Sequence, residues 1–199
     1  MIKTGIFGGS FNPIHNGHIS LARQLKEKAG LDEVWLMVSP LNPLKHADDL
    51  LSDEARLEMA RRALKNEEGI IASDYEMHLP KPSYTWNTLQ ALSKDYPDRE
   101  FVLMIGGDNW DLFDRWYRAE DIKTNYRIVV YPRTKQGDGS FFRSPHGDLT
   151  KEPSPCLVEA ELIDISSTEI RQRIREGKSI RKLVPRTVEA MIKKNGYYA

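Results

Sequence analysis

Short apolar runs and amphipathic segments alternate along this chain. Ile2–Phe7 and Glu33–Val38 are apolar runs of strand length, whereas His18–Gly30 carries its apolar residues at helical spacing. Further strands are predicted at 69–73, 100–105, 127–132 and 157–165, and further helices at 51–66, 85–94, 167–177 and 185–196. This alternation predicts an α/β fold of Rossmann-like, doubly wound type, with a mainly parallel sheet and helices on both faces.

One segment departs from the alternation. Residues 133–156 are rich in Gly, Ser and Pro and show no period, which predicts a surface loop. A loop of this length is also found covering ligands, so that alternative stays open. The length of 199 residues suits a single domain spanning 1–199.

Composition narrows the classes of partner. Lys plus Arg and Asp plus Glu both number 29, which argues against binding to nucleic acid through bulk charge. Cys156 is the single cysteine, so an intramolecular disulfide and a cysteine-rich zinc site are both excluded. No apolar run approaches the length of a membrane span or a signal peptide. We therefore expect a cytoplasmic protein with no membrane partner; a homo-oligomer remains possible.

The stretch FGGSFNPIHNGH, Phe7 to His18, lies between the first strand and the first helix. A glycine-rich turn in this place directs backbone N–H groups and a helix N-terminus at one point, which favours an anion. The stretch lacks the G-x-G-x-x-G spacing, and no Gly-Lys-Ser/Thr follows. His15 and His18 could donate to phosphate or could cap the helix; a metal site is disfavoured because no third ligand is near.

A second candidate anion site lies near the other end of the chain. In ISSTEIRQRI the spacing of Ser166 and Glu169 is that of a capping box. Arg171 and Arg173 follow within the first turns, so the same helix end could grip an anion. Two such helix starts suit a nucleotide triphosphate held between them.

These two segments resemble the signatures of a known enzyme group. GGSFNPIHNGH is similar to the G-x-F-x-P-x-H-x-G-H motif, and ISSTEIR to the I-S-S-T-x-I-R motif, of the nucleotidyltransferase superfamily. Between them, SYTWNTL, IGGDNWDLFDRWYRAEDI and VSPLNPLK resemble segments of the bacterial nicotinate-nucleotide adenylyltransferases. Phosphopantetheine adenylyltransferases share the outer motifs but lack these middle segments.

Two positions depart from that family pattern. Asn87 stands where the family usually has Asp, and Leu44 where it usually has His. His46, two residues further on, is a candidate substitute for the missing histidine.

The resemblance implies adenylyl transfer from ATP to nicotinate mononucleotide, giving deamido-NAD and pyrophosphate in NAD biosynthesis. The nucleophile is already a phosphate anion, so catalysis needs positioning and charge stabilisation, with Mg²⁺ neutralising the departing pyrophosphate. The implied catalytic residues are His15, His18, Lys45 and Arg171. The implied ATP contacts are Gly8, Gly9, Ser10, Phe11, His15, His18, Gly106, Asp108, Ser166, Ser167, Thr168 and Arg171, and the implied contacts to the nicotinate nucleotide are Lys45, Tyr84, Thr85 and Trp116.

Some of these roles have structural alternatives. Asp108 could bind ribose or help organise the metal, or it could cap the following helix. Trp116 could stack on the pyridine ring or belong to the core, whereas Trp35 is expected in the core only. Two other functions stay open: a related adenylyltransferase acting on nicotinamide mononucleotide or phosphopantetheine, and a nucleotide-binding module without catalysis.

Overall fold

The computed structural model describes residues 1–40, 50–131, 156–161 and 163–199, together with the backbone of 143–144 and 147–148. Its centre is a six-stranded sheet in the order β3-β2-β1-β4-β5-β8, with every neighbouring pair parallel. The strands are β1 (Ile2–Gly9), β2 (Glu33–Val38), β3 (Ile70–Ser73), β4 (Arg99–Gly106), β5 (Arg127–Tyr131) and β8 (Cys156–Leu157). A separate antiparallel pair is formed by β6 (Arg143–Ser144) and β7 (Gly147–Asp148). The predicted doubly wound, parallel architecture is confirmed.

Helices connect the first five strands, and two more follow the last strand. The connecting helices are α1 (Asn16–Lys28), α2 (Asp53–Leu64), α3 (Thr85–Asp95), α4 (Gly107–Trp110) and α5 (Ala119–Asn125); α6 (Ser167–Arg175) and α7 (Arg186–Asn195) come after β8. Two 3₁₀ turns, η1 (Tyr75–His78) and η2 (Phe113–Arg115), stand before α3 and α5. The sheet order reverses between β1 and β4, and in such sheets the crevice at the carboxyl ends of those strands is where ligands bind.

Alternate residues of each strand face opposite sides of the sheet, and each side has its own core. On one side Leu36 and Met104 pack with buried residues of α1, α2 and α7. On the other side Met37 and Leu103 pack with buried residues of α3 and α5. Trp35 is on this second side and 8% exposed, as expected of a core residue. Helices therefore cover both faces, which explains why the strands read as continuous apolar runs.

Local chemistry sets the helix ends. The Ser52 hydroxyl accepts from the Ala55 amide at 3.2 Å and begins α2. Pro185 precedes the first residue of α7, and Gly196 ends it in the left-handed conformation at φ 64°. The Ser166 hydroxyl caps α6 by accepting from the Glu169 amide at 3.1 Å. The other half of the expected capping box is replaced, because the Glu169 carboxylate pairs with Arg173 at 2.8 Å.

The strand predicted at 157–165 is wrong for most of its length. Strand β8 ends at Leu157, and the Val158 amide makes one more bond to β5, to the Val130 carbonyl at 2.9 Å. The described residues that follow run beside α1. There the Gln24 side chain bonds both the amide and the carbonyl of Glu161, at 2.8 and 2.9 Å, and Lys28 donates to the Glu159 carbonyl. These side chains satisfy backbone groups that a neighbouring strand would otherwise pair, so the alternating pattern was not sufficient to make a strand.

Some predictions fall on residues outside the described ranges. Lys45, with Leu44 and His46, lies there, and so does most of the predicted surface loop at 133–156. Among the described helices, none is long and apolar enough to cross a membrane.

Candidate active site

The first motif forms the end of β1 and the start of α1. The strand continues through Gly8 and Gly9, and α1 begins at Asn16, two residues before the predicted start. His15 is the N-cap: its side chain accepts from the His18 amide, while the His18 side chain accepts from the His15 amide. The two rings stack with centroids 3.6 Å apart. The histidine pair therefore caps α1, and any phosphate contact must be made by the remaining ring nitrogens.

Burial fixes the protonation of the N-cap histidine. His15 is 5% exposed, and desolvation lowers its pKa from 6.5 to about 4, so the ring is neutral near pH 7. Its Nδ1 accepts from the His18 amide at 3.4 Å, which places the ring proton on Nε2. A neutral Nε2–H is a hydrogen-bond donor at the N-terminus of α1, where the helix also has amides without intrahelical partners.

Two side chains of α6 bond to the motif loop, residues 10–15 between β1 and α1. The Arg171 guanidinium donates to the Asn12 carbonyl at 2.9 Å, and the Ser167 hydroxyl donates to the Pro13 carbonyl at 3.0 Å. Arg171 also lies 3.4 Å from the Thr168 hydroxyl. The two sequence motifs, 154 to 159 residues apart, therefore meet directly, and Arg171 has a structural task in addition to the phosphate contact expected for it.

A buried arginine that the sequence analysis did not single out joins two loops at the same edge. Arg56 of α2 is fully buried and donates to the Ser10 carbonyl at 2.6 Å and to the Ser39 carbonyl at 2.9 Å. It also bonds the Leu51 carbonyl and the Asp53 carboxylate. Its donors thus fix the loop after β1 against the segment that follows β2.

The last turn of the chain reaches the same motif. The Tyr198 hydroxyl donates to the Asn12 side-chain oxygen at 2.7 Å, and the Leu51 amide donates to that oxygen at 3.3 Å. Asn12 is 4% exposed. Burial raises the pKa of the Tyr198 phenol, so the hydroxyl stays protonated and remains a donor.

A cleft of about 220 Å³ opens at the carboxyl ends of β1, β2, β4 and β5. It lies at the point where the sheet order reverses. The lining residues are Ile6, Gly8, Gly9, Met37, Ser39, Glu76, Thr85, Thr88, Leu89, Leu103, Met104, Ile105, Gly106, Asn109, Trp116 and Tyr131. Apolar walls with a few polar groups are typical of a small-molecule site.

Five of the expected contact residues line this cleft. Gly8, Gly9 and Gly106 contribute backbone at the strand ends, and Thr85 and Trp116 contribute the opposite wall. Thr85 is the first residue of α3, as expected. Trp116 is half-buried, with its ring centroid 5.1 Å from that of Phe113.

The glycines at the end of β1 differ in the space around them. A Cβ at Gly9 would lie 2.9 Å from the Phe11 ring, whereas a Cβ at Gly8 would meet no other described residue within 4 Å. Gly8 is open on the side of the cleft. Phe11 itself is 2% exposed and packs edge-on against Phe7 and His18, so its side chain belongs to the core.

Other expected residues lie outside the lining set of this cleft. Tyr84 is 45% exposed and packs on Tyr117, with ring centroids 4.8 Å apart. Asp108 is an exposed residue in the first turn of α4, whose N-cap is Gly106. Ser166 and Thr168 are exposed at the start of α6, and Ser10 is exposed in the motif loop.

The lining also contains polar residues that the sequence analysis missed, notably Glu76, Thr88 and Asn109. Their sequence neighbourhood gives no chemical signal, because a Glu in a short turn and a Thr inside a helix are common on any surface. The packing of η1 against β2 brings Glu76 to the cleft, whereas Thr88 and Asn109 reach it from α3 and α4. Among the described residues, no group of three or more His, Cys, Asp or Glu side chains could hold a metal ion.

Comparison with known proteins identifies the family. The family model described as cytidylyltransferase-like matches residues 6–173. Proteins of Bacteroides fragilis and Cytophaga hutchinsonii, both carrying the name "Probable nicotinate-nucleotide adenylyltransferase", are 48% and 44% identical; the alignments cover 90% and 100% of this chain and 85% and 99% of theirs.

Solved structures show the same fold. The nicotinic acid mononucleotide adenylyltransferase of Plasmodium falciparum, solved with NaAD, has a TM-score of 0.79 at 20% identity; the match covers 100% of this chain and 98% of that one. The reversal in strand order, the histidine-capped turn and the second motif packed behind it agree with these relationships. The chain belongs to the cytidylyltransferase-like family and, within it, to the nicotinate-nucleotide adenylyltransferases.

Proposed function

We propose that this chain transfers the adenylyl group of ATP to nicotinate mononucleotide, releasing pyrophosphate and forming deamido-NAD. The observation that carries the proposal is the cleft at the reversal of strand order, which has the first motif at one end and Thr85 with Trp116 on the opposite wall. The whole-length similarity to relatives named for this reaction supports the choice of substrate.

The reaction needs no protein nucleophile. A phosphate oxygen of nicotinate mononucleotide attacks the α-phosphorus of ATP, a new P–O bond forms, and the bond to the β-phosphate oxygen breaks as pyrophosphate departs. No proton changes hands in this exchange. The protein therefore contributes alignment of the two phosphates and stabilisation of charge on the α-phosphoryl oxygens and the leaving group.

The geometry supports specific tasks for the first motif. The Nε2–H of His15 and that of His18 would donate to ATP phosphates, together with the N-terminal amides of α1. The Gly8 and Gly9 backbone lets the nucleotide approach the end of β1. We assign contacts to the polyphosphate of ATP to Arg171, Ser167 and Thr168. Arg171 also holds the motif loop in place through its bond to the Asn12 carbonyl.

The nicotinate side is assigned to the wall made by α3 and η2. The first amides of α3 lack intrahelical partners, so the helix start at Thr85 can receive the carboxylate of the substrate. Trp116 offers its ring face for stacking on the pyridine, and Tyr84 at the rim contributes through the exposed pair it forms with Tyr117. Lys45 stays a prediction for the phosphate of this substrate.

Mg²⁺ enters this scheme with ATP as part of the substrate. The described residues offer no cluster of metal ligands, which fits an ion held chiefly by phosphate oxygens and water. Asp108 is the nearby carboxylate that we assign to the ribose or to this ion. Cytoplasmic location, a homo-oligomeric state and the absence of a nucleic-acid partner remain predictions.

Pyrophosphate release tests the proposal. We would incubate the protein with Mg²⁺ and ATP and compare nicotinate mononucleotide, nicotinamide mononucleotide and phosphopantetheine in parallel. Release with the nicotinate nucleotide well above the others is the expected result, and chelation of Mg²⁺ should abolish it. Release only with another acceptor would overturn the substrate assignment, and ATP binding without release from any acceptor would favour a non-catalytic module.

A further inference from the structure

Glu76 is a carboxylate in the cleft wall with no role in the scheme above. It lies in η1, between β3 and α3, and lines the cleft. The Thr88 hydroxyl donates to its Oε1 at 3.1 Å, and the Ser39 side chain lowers the pKa of the same carboxyl. Thr88 is in the first turn of α3, so the Glu76 side chain connects η1 to the start of that helix.

The same first turn of α3 contains the proposed carboxylate contact. Thr85 is three residues before Thr88, and the Thr88 amide and hydroxyl both lie within bonding distance of the Tyr84 carbonyl, at 3.0 and 3.3 Å. Fixing Thr88 therefore fixes the start of the helix. A displacement of about 1 Å at the start of α3 would misalign a bound substrate.

Charge attraction does not explain a carboxylate at this point. A nicotinate carboxylate bound at the start of α3 would meet the negative charge of Glu76 across the same cleft, and like charges repel. Burial raises the pKa of Glu76 while its hydrogen bonds oppose that rise. The useful property of the side chain is thus the oxygen that accepts the Thr88 bond and not the charge.

We propose that Glu76 is a positioning residue that accepts a hydrogen bond from Thr88 and thereby holds the start of α3 against η1 for the nicotinate nucleotide. The inference rests on the proposed function for its substrate, but the bond between η1 and α3 is independent of any activity. Glu76 would act through Thr88 on the nicotinate side and would leave the ATP side unchanged.

A double-mutant cycle tests this assignment. Glu76→Ala and Thr88→Val should each raise the KM for nicotinate mononucleotide about fivefold, the value of one hydrogen bond of ordinary strength, with the KM for ATP unchanged. The double variant should be no worse than the worse single variant, because both remove the same connection. Glu76→Gln keeps an acceptor oxygen and should retain the wild-type KM. Ser93→Ala is the matched control, since this α3 hydroxyl contacts Tyr126 instead.

Three results would overturn the inference: effects that multiply in the double variant, an equal rise in both KM values, or Glu76→Gln behaving like Glu76→Ala. Amide hydrogen exchange provides a readout that does not need turnover. Exchange at the amide of residue 88, which donates to the Tyr84 carbonyl, should be faster in Glu76→Ala and Thr88→Val and unchanged in Glu76→Gln. If the wild-type chain releases no pyrophosphate, the proposed function fails, whereas unchanged exchange in all variants refutes the positioning role alone.

Discussion

The buried N-cap histidine makes the stability of this protein depend on pH. His15 has a pKa of about 4 in the folded chain against 6.5 for an unperturbed histidine. Between these values the unfolded state binds more protons than the folded state, so stability falls as the pH falls from 6.5 towards 4. The full window corresponds to about 3 kcal/mol, since each pKa unit is worth about 1.4 kcal/mol.

A convenient comparison is between pH 7 and pH 5. With these two pKa values, His15 alone should lower the free energy of unfolding by about 2 kcal/mol over that interval. His15→Asn removes the titrating ring but keeps a side chain that can cap α1. We would measure urea unfolding of both proteins at the two pH values and compare the two differences.

Every other group that titrates in the same range is present in both proteins. The contributions of those groups to the pH dependence therefore cancel when the two differences are subtracted. His78→Asn is the control, since that side chain is 74% exposed. An identical pH dependence in wild type and His15→Asn would refute the reasoning. It would show that the ring is solvated or already charged in the native state.

Three further predictions concern loop support and the cleft. Arg56→Met leaves the Ser10 and Ser39 carbonyls without their guanidinium donors and should cost about 3 kcal/mol or more in urea unfolding; a loss below about 1 kcal/mol would contradict the assigned role. Gly9→Ala should lower the free energy of unfolding by about 1–3 kcal/mol, because the new Cβ would lie 2.9 Å from the Phe11 ring. Gly8→Ala should keep the wild-type melting temperature and raise the KM for ATP. Equal stability of the two variants would contradict this. In steady-state assays Trp116→Ala should raise the KM for nicotinate mononucleotide about fivefold to tenfold and leave the KM for ATP unchanged, as expected when an aromatic stack is lost. A rise in the KM for ATP alone would show that the ring contacts ATP instead.

The architecture was predictable because its signals are local. Strands buried on both faces read as apolar runs, and serine, proline and glycine mark helix ends through their own backbone chemistry. The segment after Leu157 shows the limit of such signals. Its alternation is typical of a strand, but side chains of α1 bond to its backbone. Those side chains are far away in the sequence, so a local pattern cannot indicate the contact.

The candidate site was predictable in its motifs and not in its supports. The pattern around His15 and His18 indicates an anion site, but the mutual capping of the rings appears only in three dimensions. Arg56 left a usable signal: it lies on the same helical face as Met59 and Ala60, so a charged residue occupies a core position. Glu76 left no such signal, because its partner Thr88 belongs to another element and only the packing of η1 beside α3 brings the two together.

The bond between Tyr198 and Asn12 has a consequence for synthesis on the ribosome. The motif loop is translated early, but the phenol that holds Asn12 is made 186 residues later. At translation rates of about 5–20 residues per second, that interval is roughly 10–40 seconds. A nascent chain that already contains both sequence motifs therefore still lacks this anchor. Messages cut shortly before the Tyr198 codon would yield chains with every proposed catalytic residue, in which Asn12 lacks the phenol bond but keeps its bond to the Leu51 amide.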